Sequence, residues 1–486
     1  MGIKVAFVTG PEENLGIKYL SAVLRGQGHK IRLFCDPQLF NDEILSIKPL
    51  SWVFDSKNRL VADLLNYEPD LIGFSVCTDF SSWAYDLAVK IKEKTNIPII
   101  FGGIHPTSVP DEVMSLEAVD MACIGEGEYP LLELADSLSK GQVDCNIKNI
   151  WFRKDGRIIK NPVRQLVDIN NLPFPDHELY CSRKNAYFRI GYHTSASRGC
   201  PYNCSYCCHS ILKNLYGQAN YYRIRNPINL IKELSIALER YRFKVVRFHD
   251  DVFPCDVQWL EEFADSYRKN VFVPFICYLH PELVNEDRIA LLKKAGCSEI
   301  RLGIQTLNHK IRKEILNRHE SNEVIEKSLD LIRGNGIKAV TENMLGLPKQ
   351  NDSDIISMIH FYNKNRVTRS HYFWLRYYPG LGIQKHKDSS GLSFHKEKYG
   401  KVFTQGGDTY KDTNPKLITT LYILPFLPRW LVEFIINKKI WRFLPGFIPL
   451  WSLNLIANVT SNSSSDRIWR ARTIRRYLFP VINVNK

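Results

Sequence analysis

The sequence predicts an α/β protein made of two successive units, followed by a mostly helical extension. Three observations carry this. Short apolar runs alternate with helix-length amphipathic segments over residues 1–144, and the alternation resumes in longer units over 183–380. The composition then shifts to apolar and basic stretches over 381–486. Residues 145–182 read as a connector, and a chain of 486 residues is too long for a single core.

In the first unit, residues 4–9, 31–34, 71–76, 97–101 and 121–124 fit buried parallel strands, which read as near-continuous apolar runs. Segments 16–25 and 83–93 fit the helices between them. Such a doubly wound domain binds its ligand at the carboxyl ends of its strands. Asn14 and Gly16 follow the first strand, Ser75 ends the third, and Gly102, Gly103 and His105 follow the fourth. Gly125, Glu126 and Gly127 follow the fifth. Backbone without Cβ lets a flat, bulky ligand come close, although each such turn alone is common in this architecture. In the connector, 150–159 reads as a hairpin with an Asp-Gly turn, and Leu172-Pro-Phe-Pro175 as an extended crossing.

The second unit offers strands at 193–197, 245–249, 275–279, 299–304, 338–345 and 371–376. After the first comes Ser197-Arg-Gly-Cys-Pro-Tyr-Asn-Cys-Ser-Tyr-Cys-Cys-His209, with Cys200, Cys204 and Cys207 spaced C-x3-C-x2-C. Three thiolates on one short loop can hold an iron–sulfur cube and leave one iron open, and an open position marks a catalytic metal site. Cys208 and His209 also allow a Cys3His zinc site to be drawn, but zinc ligands usually come as two separated pairs. Buried structural thiols are the other alternative.

With Tyr206 just before the last cysteine, this loop resembles the radical S-adenosylmethionine (SAM) superfamily. The resemblance implies a 4Fe–4S cluster on Cys200, Cys204 and Cys207, whose open iron chelates SAM for cleavage to a 5′-deoxyadenosyl radical. It also implies a partial (β/α)6 TIM-type barrel, which the six βα units fit. The motifs GGxHPT and GEGE after successive strands are similar to the Rossmann-like cobalamin-binding domain of one large branch. That branch includes the anaerobic magnesium-protoporphyrin ester cyclase and radical SAM methyltransferases. The resemblance spans residues 1–380. It implies that Tyr206, Asp250, Asp251, Gln305 and Gly346 face SAM. It likewise implies that Asn14, Gly16, Ser75, Gly102, Gly103, His105, Gly125, Glu126 and Gly127 serve cobalamin. For Asp250 and Asp251 a helix N-cap is an equal alternative. His280 and His371 fall near strand ends, where a structural role is the default.

Two departures stand out. Pro11 and Glu13 occupy the places of the aspartate and the cobalt-ligating histidine in D-x-H-x-x-G, so this loop should supply no histidine to cobalt. Gln305, in Gly-Ile-Gln-Thr306, stands where relatives commonly carry glutamate and loses its charge.

The expected function is cobalamin-dependent radical SAM chemistry, most simply methylation of an unactivated carbon of a lipophilic small molecule, with an external electron donor. Cyclisation or oxidative rearrangement is the alternative within the branch. A cobalamin sensor would have no need of an open cluster. The net charge of +14 would suit a nucleic-acid-modifying relative, but those carry a second amino-terminal cysteine set, whereas Cys35, Cys77 and Cys123 are widely spaced. No nucleic-acid partner is therefore expected. Twelve scattered cysteines without a secretory leader fit a reducing cytoplasm. Apolar segments at 417–432 and 443–456, broken by prolines and flanked by Lys438, Lys439 and Arg442, suggest peripheral contact with the inner membrane face through 417–460. A helical cap over the barrel mouth is the alternative.

Overall fold

The computed structural model describes residues 2–41, 47–180, 191–386, 414–444 and 459–478. The expected boundary at 182/183, the apolar stretch from 445 to 456 and the Arg475 side chain lie outside the described residues.

The first sheet contains β1 (Lys4–Thr9), β2 (Lys30–Cys35), β3 (Leu71–Ser75), β4 (Ile99–Gly102), β5 (Met121–Cys123), β6 (Ile150–Lys154) and β7 (Arg157–Ile159), in the order β2-β1-β3-β4-β5-β6-β7. It is parallel as far as β5. Strand residues alternate between two cores. Val5, Phe7 and Leu33 meet the helices Leu15–Gly26 and Glu128–Ser139, while Ala6, Val8 and Phe34 meet Lys57–Leu65 and Ser81–Lys92. The strand order reverses between β1 and β3, which opens a crevice at their carboxyl ends. The connector hairpin extends this sheet, with β6 antiparallel to β5. Asp155 and Gly156 turn it with φ of 48° and 73°, as a tight two-residue hairpin requires.

The second sheet contains β8 (Tyr192–Thr194), β11 (Val246–Phe248), β12 (Phe275–Leu279), β13 (Cys297–Gln305), β14 (Lys338–Leu345) and β15 (Arg369–Trp374). They run in order from β8 to β15, all neighbours parallel, with the end strands unpaired to each other: a partial barrel of six. A short antiparallel ribbon, β9 (Ser197–Arg198) with β10 (Arg223–Ile224), lies between β8 and β11 in the chain. Val246, Phe248, Cys277, Ile300, Leu302 and Ala339 pack outward against helices. Period two therefore turns Arg247, Tyr278, Arg301, Glu342 and His371 inward, where they touch across the strands.

The described helices of the extension pack on the outside of the barrel and at the amino ends of its strands. Leu417, Leu421, Val432 and Ile436, from the helices Pro415–Ile423 and Arg429–Asn437, join the barrel's outer core beside the helix Asp352–Lys364. The helix Ser464–Leu478 instead meets the amino ends of the strands. Ser463 Oγ donates to Glu299 at 3.0 Å, Lys338 Nζ to the Asn462 carbonyl at 2.7 Å and Arg472 to the Gly191 carbonyl at 3.3 Å. Among the described residues no helix is long and apolar enough to cross a membrane.

Candidate active site between the two sheets

The β9–β10 ribbon delivers the cysteine loop. Gly199 has φ of 86°, and a Cβ there would sit 2.4 Å from the Tyr221 carbonyl oxygen, so only glycine passes. Cys200 and Cys204 are buried and Cys207 partly so. Burial pushes the Cys200 thiol up to about 12 and raises that of Cys204, while a hydrogen bond from Cys208 brings Cys207 down to about 6. Bound cations invert such burial effects and deprotonate a coordinating thiol. The ligand atoms of Cys207, Cys208 and His209 lie within 4.8 Å of one another, which is the zinc arrangement. His209, however, has Nε2 2.8 Å from Asp251 and Nδ1 2.5 Å from the Tyr221 hydroxyl, so neither nitrogen is open to a metal. The donors that remain are the thiols of Cys200, Cys204, Cys207 and Cys208 on one loop, a sulfur set of the kind that suits an iron–sulfur cluster.

Tyr206 packs among Ile311 and Ile315, and Arg318 donates to its hydroxyl at 3.5 Å. Arg318 also donates to the Gly303 carbonyl at 2.6 Å and to Glu320 at 2.8 Å. At this point the β13–β14 register shifts and Gln305 takes φ of 67°, a bulge that re-aims its side chain. Gly346, with φ of 69°, turns the chain out of β14.

A cavity of ≈ 350 Å³ opens between the carboxyl ends of the first sheet and the start of the barrel. From the first domain it is lined by Gly16, Ser75, Gly102, Gly103, Gly125, Glu126 and Gly127, and from the barrel by Ser197, Arg198, Gly199, His249 and Asp251. At Gly103, with φ of 100°, a Cβ would lie 2.8 Å from the Val76 carbonyl, so the glycine is required there. This floor of bare backbone suits a broad, flat corrin.

Charged groups join the two walls. Arg198, two residues before Cys200, pairs with Glu126 at 3.2 Å and Glu128 at 2.7 Å, and its guanidinium lies 4.8 Å from the centre of the Tyr19 ring. Arg223 on the partner strand of the ribbon pairs with Glu126 at 2.6 Å. Burial works to raise the Glu126 carboxyl, but its bond to Arg223 and the two arginine charges hold it below the usual range. Glu13, at the place of the missing histidine, is buried among Lys18, His177 at 3.9 Å, His193 at 3.7 Å and Arg472 at 2.6 Å. It is absent from the cavity lining.

Cys200, Cys204, Cys207, Tyr206, Gln305 and Gly346, described above, are absent from the cavity lining, and so are three further expected site residues, Asn14, His105 and Asp250. Asn14 caps the helix Leu15–Gly26 through the Ile17 N–H and donates to Ser75 at 3.1 Å. His105 spends Nε2 on Tyr85 at 2.5 Å and Nδ1 on Thr78 at 3.3 Å, and burial lowers its pKa to about 4. Asp250 accepts the Ala196 N–H at 3.0 Å and the Ser197 hydroxyl at 2.5 Å, bracing the corner before the cysteine loop. It does not cap a helix; Asp256 does, for Val257–Asn270. Asp251 does line the cavity. His280 stacks on Tyr202 at 3.8 Å, and His371 lies within β15 rather than at its end. Sequence reasoning missed Arg198 and Arg223, whose carboxylate partners are remote in the chain, and Arg318, whose contacts with Tyr206 and the Gly303 carbonyl only the fold creates.

Two family models match the chain: the B12 binding domain over residues 3–135 and the radical SAM superfamily over 194–362. An uncharacterized methyltransferase of Pyrococcus horikoshii is 23% identical over 397 residues, covering 80% of this chain and 81% of the relative. The anaerobic magnesium-protoporphyrin IX monomethyl ester cyclase of Rubrivivax gelatinosus is 22% identical, over 69% of this chain and 59% of the relative. The solved radical SAM methyltransferase TsrM of Kitasatospora setae, with cobalamin and a 4Fe–4S cluster bound, superposes with a TM-score of 0.61 at 18% identity, over 79% of this chain and 74% of that one. The two matched domains are those of an enzyme that uses a 4Fe–4S cluster, SAM and cobalamin. The chain belongs to the radical SAM enzymes that carry a B12-binding domain.

Proposed function

We propose that the protein is a cobalamin-dependent radical SAM methyltransferase acting on an unactivated carbon of a lipophilic small molecule. The observation that carries this reading is a cavity walled by the glycine-rich strand ends on one side and, on the other, by Ser197, Arg198 and Gly199, which lead directly into the cysteine loop. When bound, the cluster supplies the electron that cleaves SAM and the corrinoid carries a methyl group, chemistry that no side chain offers. Cys200, Cys204 and Cys207 hold the cluster. Tyr206, Gln305, Gly346 and Asp251 border SAM, with Asp250 fixing the corner behind it. Gly16, Ser75, Gly102, Gly103 and the Gly125–Glu126–Gly127 turn take the corrin, with Asn14 and His105 holding that floor in place. An external donor provides the electrons. The methyltransferase names of the Pyrococcus and Kitasatospora proteins support methylation. The cyclase relative supports oxidative ring closure as the second reading.

Product counting separates them. Anaerobic reconstitution should give about four irons per chain and a corrinoid spectrum, both with iron lost in Cys204→Ala. Methylation yields S-adenosylhomocysteine and 5′-deoxyadenosine in equal amounts. Turnover yielding 5′-deoxyadenosine without S-adenosylhomocysteine would exclude it.

The lipophilic substrate and a place at the cytoplasmic membrane face are supported by the helix Arg429–Asn437. It exposes Trp430 and Phe434, with Phe426 and Phe443 exposed nearby, beside the exposed Arg429, Lys438, Lys439 and Arg442. Flotation on anionic vesicles tests this.

A further inference from the structure

Of the described arginines on the inward faces of the barrel strands, Arg247 is the one that no carboxylate pairs with. Arg301 has Glu342 at 3.3 Å and Glu299 at 3.6 Å, Arg369 has Asp466 at 3.5 Å, and Arg472 has Glu13 at 2.6 Å. Arg247, on β11, has no carboxylate within 4.0 Å among the described residues; its one hydrogen bond goes to the Tyr278 hydroxyl at 2.8 Å. Its Nε is buried and has no hydrogen-bond partner. Taking an ion from water without a counter-charge is costly, and a guanidinium left so is a fork shaped for a carboxylate or phosphate.

The surroundings are built to keep that charge uncompensated. Three imidazoles face the same space: His193, His249 and His371. Burial first, and then cations that include Arg247, hold all three well below the ordinary histidine pKa, so they remain neutral. Phe373, two residues beyond His371 and on its face of β15, is 46% exposed, and Met344 opposite it is half-buried, so the space above is open and apolar. Arg247 lies two residues before His249, which lines the inter-domain cavity. The guanidinium therefore sits one layer deeper in the barrel, about 6.6 Å along the strand. A ligand reaching into the barrel beside Phe373 and Met344 would meet apolar side chains before Arg247 at its inner end.

We propose that Arg247, with the Tyr278 hydroxyl beside it, binds an anionic group, a carboxylate or phosphate, at the end of an otherwise apolar substrate. This rests on the reading of the chain as a small-molecule enzyme and narrows the substrate class. The SAM carboxylate is the other source of such a group. Under the proposed function that carboxylate would go to the cluster that Cys200, Cys204 and Cys207 would hold.

The test is binding to the reconstituted holoenzyme, not turnover. Benzoate and phenyl phosphate are titrated calorimetrically against neutral benzamide, and SAM affinity is measured by equilibrium dialysis. Both anions should bind saturably and benzamide should not. Arg247→Gln should weaken both anions at least tenfold, Arg247→Lys should restore part of the loss, and the exposed control Arg268→Gln should bind as wild type does. SAM affinity should be the same in all four proteins. Equal anion binding in wild type and both Arg247 variants, or anions binding no better than benzamide, overturns the proposal. So does a tenfold loss of SAM affinity in Arg247→Gln, which would assign the guanidinium to SAM. Iron, sulfide and corrinoid content of the same preparations report separately on the cofactor reading, so the two can fail independently.

Discussion

Asp250 shows how a residue can be legible in type and misleading in role. The sequence marks it as a polar group at the end of a barrel strand, and both expected uses, ligand binding and helix capping, follow from that position. The structure gives the cap to Asp256 and turns Asp250 into a buried brace for Ala196 and Ser197. Residue type could not separate the two because capping depends on where the helix begins, six residues further on. Burial raises the Asp250 carboxyl to about 7 against its hydrogen bonds, from an ordinary 3.8. A pKa raised in the folded state contributes stability that is complete below about 4 and lost as pH rises through about 7. Between pH 5.5 and 8 the wild type should lose about 2 kcal/mol relative to Asp250→Asn, whose buried amide does not titrate. Urea midpoints of reconstituted protein across that range check this. Parallel curves would mean that the carboxyl titrates as an ordinary one.

At the scale of elements, the strands were the most legible part of the chain. The strands of the first unit are near-continuous apolar runs and those of the barrel keep an apolar outward face, and all eleven expected in the two units, five and six, have counterparts in the two sheets. The glycine turns and the cysteine loop were legible for a similar reason, since local backbone geometry restricts them to few residue types. What stayed hidden was how the two loops are joined. Arg198 reads as an ordinary residue in a motif, and Glu126 as part of a glycine turn; only the fold places them 3.2 Å apart. Because Arg198 is two residues from Cys200 and both Arg198 and Glu126 line the inter-domain cavity, the pair links the two walls of that cavity. Neighbours in one ion-pair network are not energetically additive. Arg198→Gln and Glu126→Gln should each weaken cobalamin binding by about tenfold while iron content stays near wild type, and the double variant should be little worse than either. Equilibrium dialysis of the four proteins measures the cycle, and strictly multiplicative losses would show that the two residues act separately.

Across the whole molecule, the carboxyl-terminal region divides into parts that its composition could not distinguish. Its basic residues look alike in composition, yet Arg472 pairs with Glu13 and Arg476 approaches Glu12, both at the opposite end of the chain. Those arginines are structural, locking the first domain to the barrel through the helix Ser464–Leu478. The apolar stretch divides in the same way: Leu417, Leu421, Val432 and Ile436 complete the barrel's outer core, whereas Phe426, Trp430 and Phe434 face solvent. Trp430 is 69% and Phe443 86% exposed, which is more than packing against this chain explains among the described residues. Tryptophan and phenylalanine flanked by lysine and arginine match the headgroup layer, where an amphipathic ring sits at the boundary and cations meet anionic lipid. Each basic residue near such a surface adds about 1 kcal/mol at low ionic strength. Wild-type protein should therefore float with vesicles containing phosphatidylserine, and less so with neutral phosphatidylcholine. Trp430→Ser with Phe434→Ser should abolish flotation in both, whereas Lys438→Gln with Lys439→Gln should remove only the dependence on anionic lipid. Iron and corrinoid content should stay unchanged, because none of the four residues lies near the cavity. Equal flotation of wild type and the aromatic variant would leave this face without a membrane role and return the lipophilic substrate to a purely soluble route into the barrel.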